Sequence, residues 1–189
     1  MDENDEILVE RVARGDGTAF ETLFHRHYGR VYRVLYGLTA DREASEDLTQ
    51  EAFLELYRGA REIRAGTPPA AWLCRVALNR GYNLLRDRRR ATEKLERVTR
   101  TTSEEPWADL VRVEDRARVR EVLAHLHERQ SKILLLRYAG YSLAEMASIL
   151  SLAPGSIGTL LARAEKAFEA AYRAMHPAES EPSLEKRKP

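Results

Sequence analysis

The sequence predicts an all-α protein of two small helical domains joined by a flexible linker, the C-terminal one a helix-turn-helix. Three observations carry this expectation. The strong helix formers Ala, Leu, Glu and Arg dominate, and runs of β-branched or aromatic residues are few. Gly 10 and Pro 7 leave few turns in 189 residues. Apolar residues recur at spacings of three and four on both sides of a polar stretch at 91–106. A chain of this length, 43% hydrophobic and 32% charged, can bury one core or two small ones.

The elements follow in order. Ile7, Leu8, Val12, Phe20, Leu23, Phe24, Tyr28, Val31, Leu35 and Leu38 share a helical period. Gly15-Asp16-Gly17 interrupts it, which predicts a short helix, a turn and a longer helix to about Leu38. Asp41 can cap the next helix, which ends near Gly59. Residues 61–67 form a loop, and Pro68-Pro69 opens the following helix. The first domain is thus 1–90. Residues 91–106 lose strong apolar periodicity and contain Arg100-Thr101-Thr102-Ser103-Glu104-Glu105-Pro106, a linker. The second domain spans 107–176, and 177–189 is a polar, disordered tail.

Within the second domain, residues 130–139 form an apolar helix that Gly140 can close in the left-handed conformation. Ser142-Leu143-Ala144-Glu145 is a capping box for a short helix to Leu150. A tight turn follows, and Pro154 suits the first position of the last helix. There Ile157, Leu161, Ala164, Phe168, Ala171 and Met175 make the buried stripe. Ser156, Thr159, Leu160, Arg163 and Lys166 make the opposite face. This geometry places a helix in the DNA major groove.

A net charge of +1 conceals a division. Residues 41–60 carry Asp41, Glu43, Glu46, Asp47, Glu51 and Glu55 against Arg42 and Arg58. Residues 69–90 carry Arg75, Arg80, Arg86, Arg88, Arg89 and Arg90 against Asp87 alone. The acidic face is either a solvated surface or a docking surface; Leu54 among carboxylates favours docking. On the basic helix Trp72, Arg75, Asn79, Tyr82, Asn83 and Arg86 share one broad face. Arginines hold phosphates, asparagines read base edges and aromatic rings stack on unpaired bases. Trp72 is better explained as a core residue, whereas the Arg and Asn residues point to nucleic acid.

Other chemistries find little support. No apolar run approaches the roughly 20 residues that span a bilayer, so membrane insertion is not expected. The acidic N-terminus lacks the pattern of a secretory signal. Cys74 has no partner for a disulfide, which fits a cytoplasmic protein, and its apolar surroundings make it a core residue. His25-x-His27 and His125-x-His127 diverge on a helix, so no metal is expected. No phosphate loop, nucleophile elbow or catalytic constellation is present, so neither an enzyme nor a cofactor is expected.

The chain resembles the extracytoplasmic-function sigma factors of bacterial RNA polymerase. LVERVARGDGTAFETLFHRHYGRVYRV is similar to the family's first conserved stretch, and SEDLTQEAFLELYR to its polymerase-binding motif. WLCRVALNRGYNLLRDRRR is similar to the helix that reads the −10 element. HERQSKILLLRYAGYSLAEMASILSLAPGSIGTLLARA is similar to the helix-turn-helix that reads the −35 element. The resemblance implies that Asp47, Leu48, Gln50, Glu51, Phe53 and Leu54 bind the clamp helices of the largest polymerase subunit. It implies that Arg61, Arg64, Thr67, Arg75, Asn79, Asn83 and Arg86 engage the −10 region, with a flipped base held by the 61–67 loop. Arg137, Ser156, Thr159, Leu160, Arg163 and Lys166 would face the −35 element. The flap of the second polymerase subunit, promoter DNA and an anti-sigma protein are the further partners it implies.

The chain departs from the family where basic residues usual in the last helix give way to Gly158 and Leu160, and where His127 replaces a proline. These changes bear on −35 affinity. A DNA-binding regulator that never joins polymerase is one rival reading, but it has no need of the Asp47-to-Phe53 motif. A protein-interaction module with a weakened DNA helix is another, and it predicts no sequence-dependent footprint.

Overall fold

The computed structural model describes residues 4–64, 66–95 and 110–177, with side chains described for 4–64, 66–92 and 117–177. Among them the chain forms α-helices and one short 3-10 turn, with no strand. Two helical domains result.

The first domain begins with α1 (Asp5–Ala13) and α2 (Gly17–Thr39). Between them Gly15 is left-handed at φ +89, and Asp16 caps α2 by accepting from the Thr18 and Ala19 amides at 2.9 and 3.1 Å. Asp5 ties α1 to α2 through Arg26 and through His27, whose Nε2 lies 2.7 Å away. The second histidine of the first pair is therefore a buried structural group. Asp41 caps α3 (Arg42–Gly59), accepting from the Ala44 amide at 3.0 Å. A 3-10 turn (Ala60–Glu62) leads to α4 (Pro69–Leu95), which starts at the expected proline. α4 runs five residues beyond its expected end at 90, because Ala91 to Leu95 contain neither Gly nor Pro. The rest of the expected linker, 96–106, and the expected tail beyond 177 lie outside the described residues.

The second domain comprises α5 (Leu110–His125), α6 (Glu128–Tyr138), α7 (Leu143–Leu150) and α8 (Pro154–Met175). α6 ends in a Schellman turn. Gly140 is left-handed, its amide bonds Arg137 O at 3.1 Å, and Tyr141 N bonds Leu136 O at 3.1 Å. That turn drives Tyr141 into the core. The expected capping box opens α7: Ser142 N donates to Glu145 Oε2 at 2.7 Å, and Glu145 N donates to Ser142 Oγ at 3.3 Å.

Two apolar clusters form, and they do not divide at the domain boundary. Leu8, Leu23, Val31, Phe53, Leu56 and Leu73 belong to the first, with Trp72 packed against it. The second joins Val34 of α2 and Ala71, Cys74 and Leu78 of α4 to Ile133, Leu136, Tyr141, Met146, Ile149 and Ile157. Adjacent residues thus serve different cores: Leu73 and Cys74, Ala77 and Leu78, Val34 and Leu35. The helix-turn-helix domain is not a bead on a tether. It completes its core on the first domain.

Close approach of α4 to α2 depends on Gly81. A Cβ there would lie 2.7 Å from Leu38 Cδ2 and 3.0 Å from Leu35 Cδ2. A mid-helix glycine lowers helix propensity by about 1 kcal/mol, and this packing is what offsets it. Gly158 in α8 faces open space. Gly81→Val should therefore destabilise the protein by about 1–3 kcal/mol through overpacking. Gly158→Ala should stabilise it by up to about 1 kcal/mol. Urea denaturation of both variants reads the opposite signs.

Candidate polymerase and promoter interface

The site is built from α3, the 61–67 loop, α4 and α8. On α3, Asp47, Gln50, Glu51 and Leu54 are exposed along one side, with Leu54 at 45% exposure. Leu48 is half-buried against the first core, and Phe53 is 1% exposed inside it. Phe53 is thereby corrected from a contact residue to an anchor: its buried ring stands edge-on to Phe20, tilted against Phe24 and stacked with Tyr28.

The acidic and basic helices pack side by side and partly neutralise each other. Arg80 reaches Glu51 at 2.7 Å and Glu55 at 2.6 Å, and Arg88 reaches Asp41 at 2.7 Å. The cap bond from Ala44 and the Arg88 guanidinium together hold the Asp41 carboxyl below its ordinary range. The expectation that only Asp87 offsets the basic helix is therefore wrong, because opposition comes from a neighbouring helix that a linear reading cannot see.

The loop residues Arg61, Arg64 and Thr67 form one wall of a cleft of about 470 Å³, with Glu6, Glu10 and Arg14 on the other wall. Arg61 Nε donates to Ala13 O at 2.9 Å, which fixes the loop against α1. On α4, Asn79, Asn83 and Arg86 are exposed, and Arg86 donates to Asn83 Oδ1. Arg75 and Tyr82 are drawn elsewhere. Arg75 donates to the carbonyls of Ser148 at 2.8 Å and Ile149 at 3.2 Å, at the C-terminus of α7. A guanidinium there is favoured by the orphan carbonyls and the helix dipole. Tyr82 lies against α6, with Lys132 Nζ 4.8 Å from its ring centroid. In this arrangement Arg75 is not free for DNA.

On α8, Ser156, Thr159, Arg163 and Lys166 lie outside the core, as does Arg137 of α6; Thr159, Arg163, Lys166 and Arg137 are exposed. Leu160 is half-buried and packs against the second core, which corrects its placement on an open reading face. Ser156 Oγ donates to Ala153 O at 2.8 Å, so that hydroxyl is engaged at the helix start. His127 is a cap for α6, its Nδ1 accepting from the Arg129 amide at 3.3 Å. Cys74 is buried and its thiol is pushed up to about 12, chiefly by desolvation, which leaves it inert. Among the described residues no cluster of acidic, His or Cys side chains could hold a metal, and no single helix is long and apolar enough to cross a membrane.

Residues 23–91 match the family model for Sigma-70 region 2, and residues 116–168 match that for Sigma-70, region 4. The sigma factor SigM of Mycobacterium tuberculosis, an ECF factor, is 32% identical over 164 residues, covering 85% of this chain and 80% of that one. The chain belongs to the extracytoplasmic-function sigma factors. It directs RNA polymerase to promoters. The RNA polymerase sigma-H factor of Pseudomonas aeruginosa is 27% identical over 183 residues, covering 90% of this chain and 95% of that one. Among solved structures, CnrH in complex with the cytosolic domain of CnrY has the same fold, with a TM-score of 0.66, 23% identity and coverage of 94% and 100% of the two chains. The sigma factor RpoE of Bartonella quintana, solved with the anti-sigma factor NepR, has a TM-score of 0.58 at 20% identity, covering 82% of this sigma factor and 96% of that one.

Sequence reasoning missed Arg30. It donates to Glu145 Oε1 at 2.7 Å and to Gly140 O at 3.2 Å, and its guanidinium stands 3.8 Å from the Tyr141 ring centroid. Glu145 was legible as a cap; that it also grips α2 was not. The hydrogen bond from Arg30 is the main cause that holds the Glu145 carboxyl at about 2, burial opposing and Ser142 assisting. A depressed carboxyl contributes stability above its unfolded value, and that contribution fades as pH falls from about 4.5 towards about 2. The melting temperature of the wild type should fall across that window, and Glu145→Gln should flatten that part of the profile. An unchanged profile in the variant counts against the linkage.

Proposed function

We propose that the sigma factor divides its labour between the two helical domains. The exposed side of α3, with Asp47, Gln50, Glu51 and Leu54, docks on the clamp helices of the largest polymerase subunit, while Leu48 and Phe53 hold the helix in place from within. The observation that carries this is Leu54, an exposed leucine between Glu51 and Glu55 on a helix whose other large apolar residues are mostly committed to the core. Arg61, Arg64 and Thr67 border a cleft of a size suited to an extruded base, and Arg75, Asn79, Asn83 and Arg86 of α4 engage the rest of the −10 region. Ser156, Thr159, Arg163, Lys166 and Arg137 face the −35 element, and the flap of the second polymerase subunit meets the same domain. An anti-sigma protein is a further partner, supported by the complexes in which CnrH and RpoE were solved. The chain performs no chemistry of its own and works in the cytoplasm, where polymerase and promoter are.

Asp47→Arg combined with Leu54→Ala should reduce binding to core polymerase by about 30- to 1,000-fold, since charge reversal and loss of an apolar anchor each remove about 1–2 kcal/mol. Pull-down with core polymerase measures this, with helicity by circular dichroism as the control; undiminished binding would remove the α3 assignment. Asn79→Ala should lower open-complex formation unequally across promoters, whereas Arg86→Ala should lower it evenly, because phosphate contacts carry no sequence information. Gly158→Lys adds a cation to an open helix face and should steepen the salt dependence of duplex binding by about one counterion. A salt titration on −35 duplexes reads that slope.

A further inference from the structure

The cleft bordered by the 61–67 loop has a second wall that the promoter reading leaves unused. Glu6 and Glu10 stand on it, one helical turn apart on α1, opposite Arg61, Arg64 and Thr67. Val9 and Ile63 add apolar lining. A nucleic-acid strand is anionic, so two carboxylates beside its path weaken binding unless they accept hydrogen bonds from it. The exposed edge of an unpaired base can supply those bonds.

The wall is held at both ends of α1. Near its start Asp5 bonds Arg26 and lies 2.7 Å from His27 Nε2. At its end the Ala13 carbonyl accepts from Arg61 Nε at 2.9 Å, which ties this wall to the loop. Glu6 and Glu10 are exposed. Arg14 approaches Glu10 only to 3.9 Å, a solvated pair too long to engage the carboxylate in a hydrogen bond. One wall of the cleft therefore accepts through Glu6 and Glu10, and the other donates through the Arg64 guanidinium and the Thr67 hydroxyl.

We propose that Glu6 and Glu10 of α1 select the captured base: they admit one that carries an exocyclic amino group, cytosine, adenine or guanine, and reject thymine. The inference rests on the reading of this cleft as the pocket for the extruded −10 base. The amines of cytosine and adenine donate to a carboxylate, and so do the ring N–H and amine of guanine. Thymine offers one N–H flanked by two carbonyl oxygens, which a carboxylate repels. Arg64 and Thr67 donate to the ring nitrogens and carbonyls that an amino-bearing base keeps on its other side. The loop closes on the base, and α1 chooses it.

The test uses the full chain assembled with core polymerase. The probe is a duplex whose non-template strand carries a run of randomised unpaired nucleotides, and the bound DNA is sequenced. Arg64→Ala with Thr67→Ala marks the position that the cleft reads, where the preference among bases should shrink. At that position the wild type should deplete thymine about 5- to 100-fold. Glu6→Gln with Glu10→Gln replaces two acceptors by amides that also donate to carbonyl oxygens. Thymine should return at that position, while preferences elsewhere hold. Asp5 keeps an acid in the first turn of α1, and circular dichroism checks the fold. Thymine accepted there by the wild type overturns the selection, and so does depletion that persists in the glutamine variant. A gain in binding that is equal for all bases also overturns it, because the carboxylates then act as plain repulsion. If the loop variant changes no position, the cleft holds no base, and the pocket reading falls with the selection.

Discussion

The constraint on which this structure depends is that one helix, α4, is buried on two sides at once. Leu73 and Ala77 enter the first core, while Cys74 and Leu78 enter the second. Successive residues on a helix point about 100° apart, so each neighbouring pair can serve two masses of apolar surface. Full burial of a Leu or a residue of like size is worth about 1.5–3 kcal/mol, so these pairs bind both domains to one rod. Small residues make the rod thin where it must be. Gly81 admits Leu35 and Leu38, and Ala71 and Ala77 allow neighbours close to the helix axis. What is left of the circumference is the stripe we propose for nucleic acid, and part of that stripe, at Arg75 and Tyr82, is in contact with the second domain.

Charge plays a different part from apolar burial here. The Arg80 pairs with Glu51 and Glu55 and the Arg88 pair with Asp41 are half-exposed, and such pairs contribute about 0–1 kcal/mol each. Their effect is on orientation. They set α4 beside α3 so that an acidic surface and a basic surface adjoin on one small domain. Arg30 and Glu145 are more enclosed and carry more consequence. Glu145 closes the first turn of α7 and holds α2 in the same act, which couples the integrity of the helix-turn-helix to its seat on the first domain.

Much of this architecture was legible in the chain. Helix starts at Gly17, Arg42, Pro69, Leu143 and Pro154 follow from Asp16, Asp41, the proline pair, Ser142 with Glu145, and Pro154, because each signal acts within one turn. The motif around residues 47–53 and the order of the basic helix and the helix-turn-helix were sufficient for the family. Phe53 and Leu160 were misplaced for one reason. A motif or a helical wheel assigns residues to a face, but whether that face is open depends on elements far away in the chain.

The sequence by itself determined the helices, their caps, the opposition of charge between α3 and α4, and the kinship to sigma factors, since all of these are written in residues at most a few turns apart. Tertiary structure alone decided which charges remain available and which apolar faces are shared. Arg75 and Ser148 are 73 residues apart, and Arg30 and Glu145 are 115 apart. Nothing local distinguishes Arg75 from Arg86 on the same helix. Packing does, because the carbonyls at the end of α7 come to rest on one of them and leave the other in solvent.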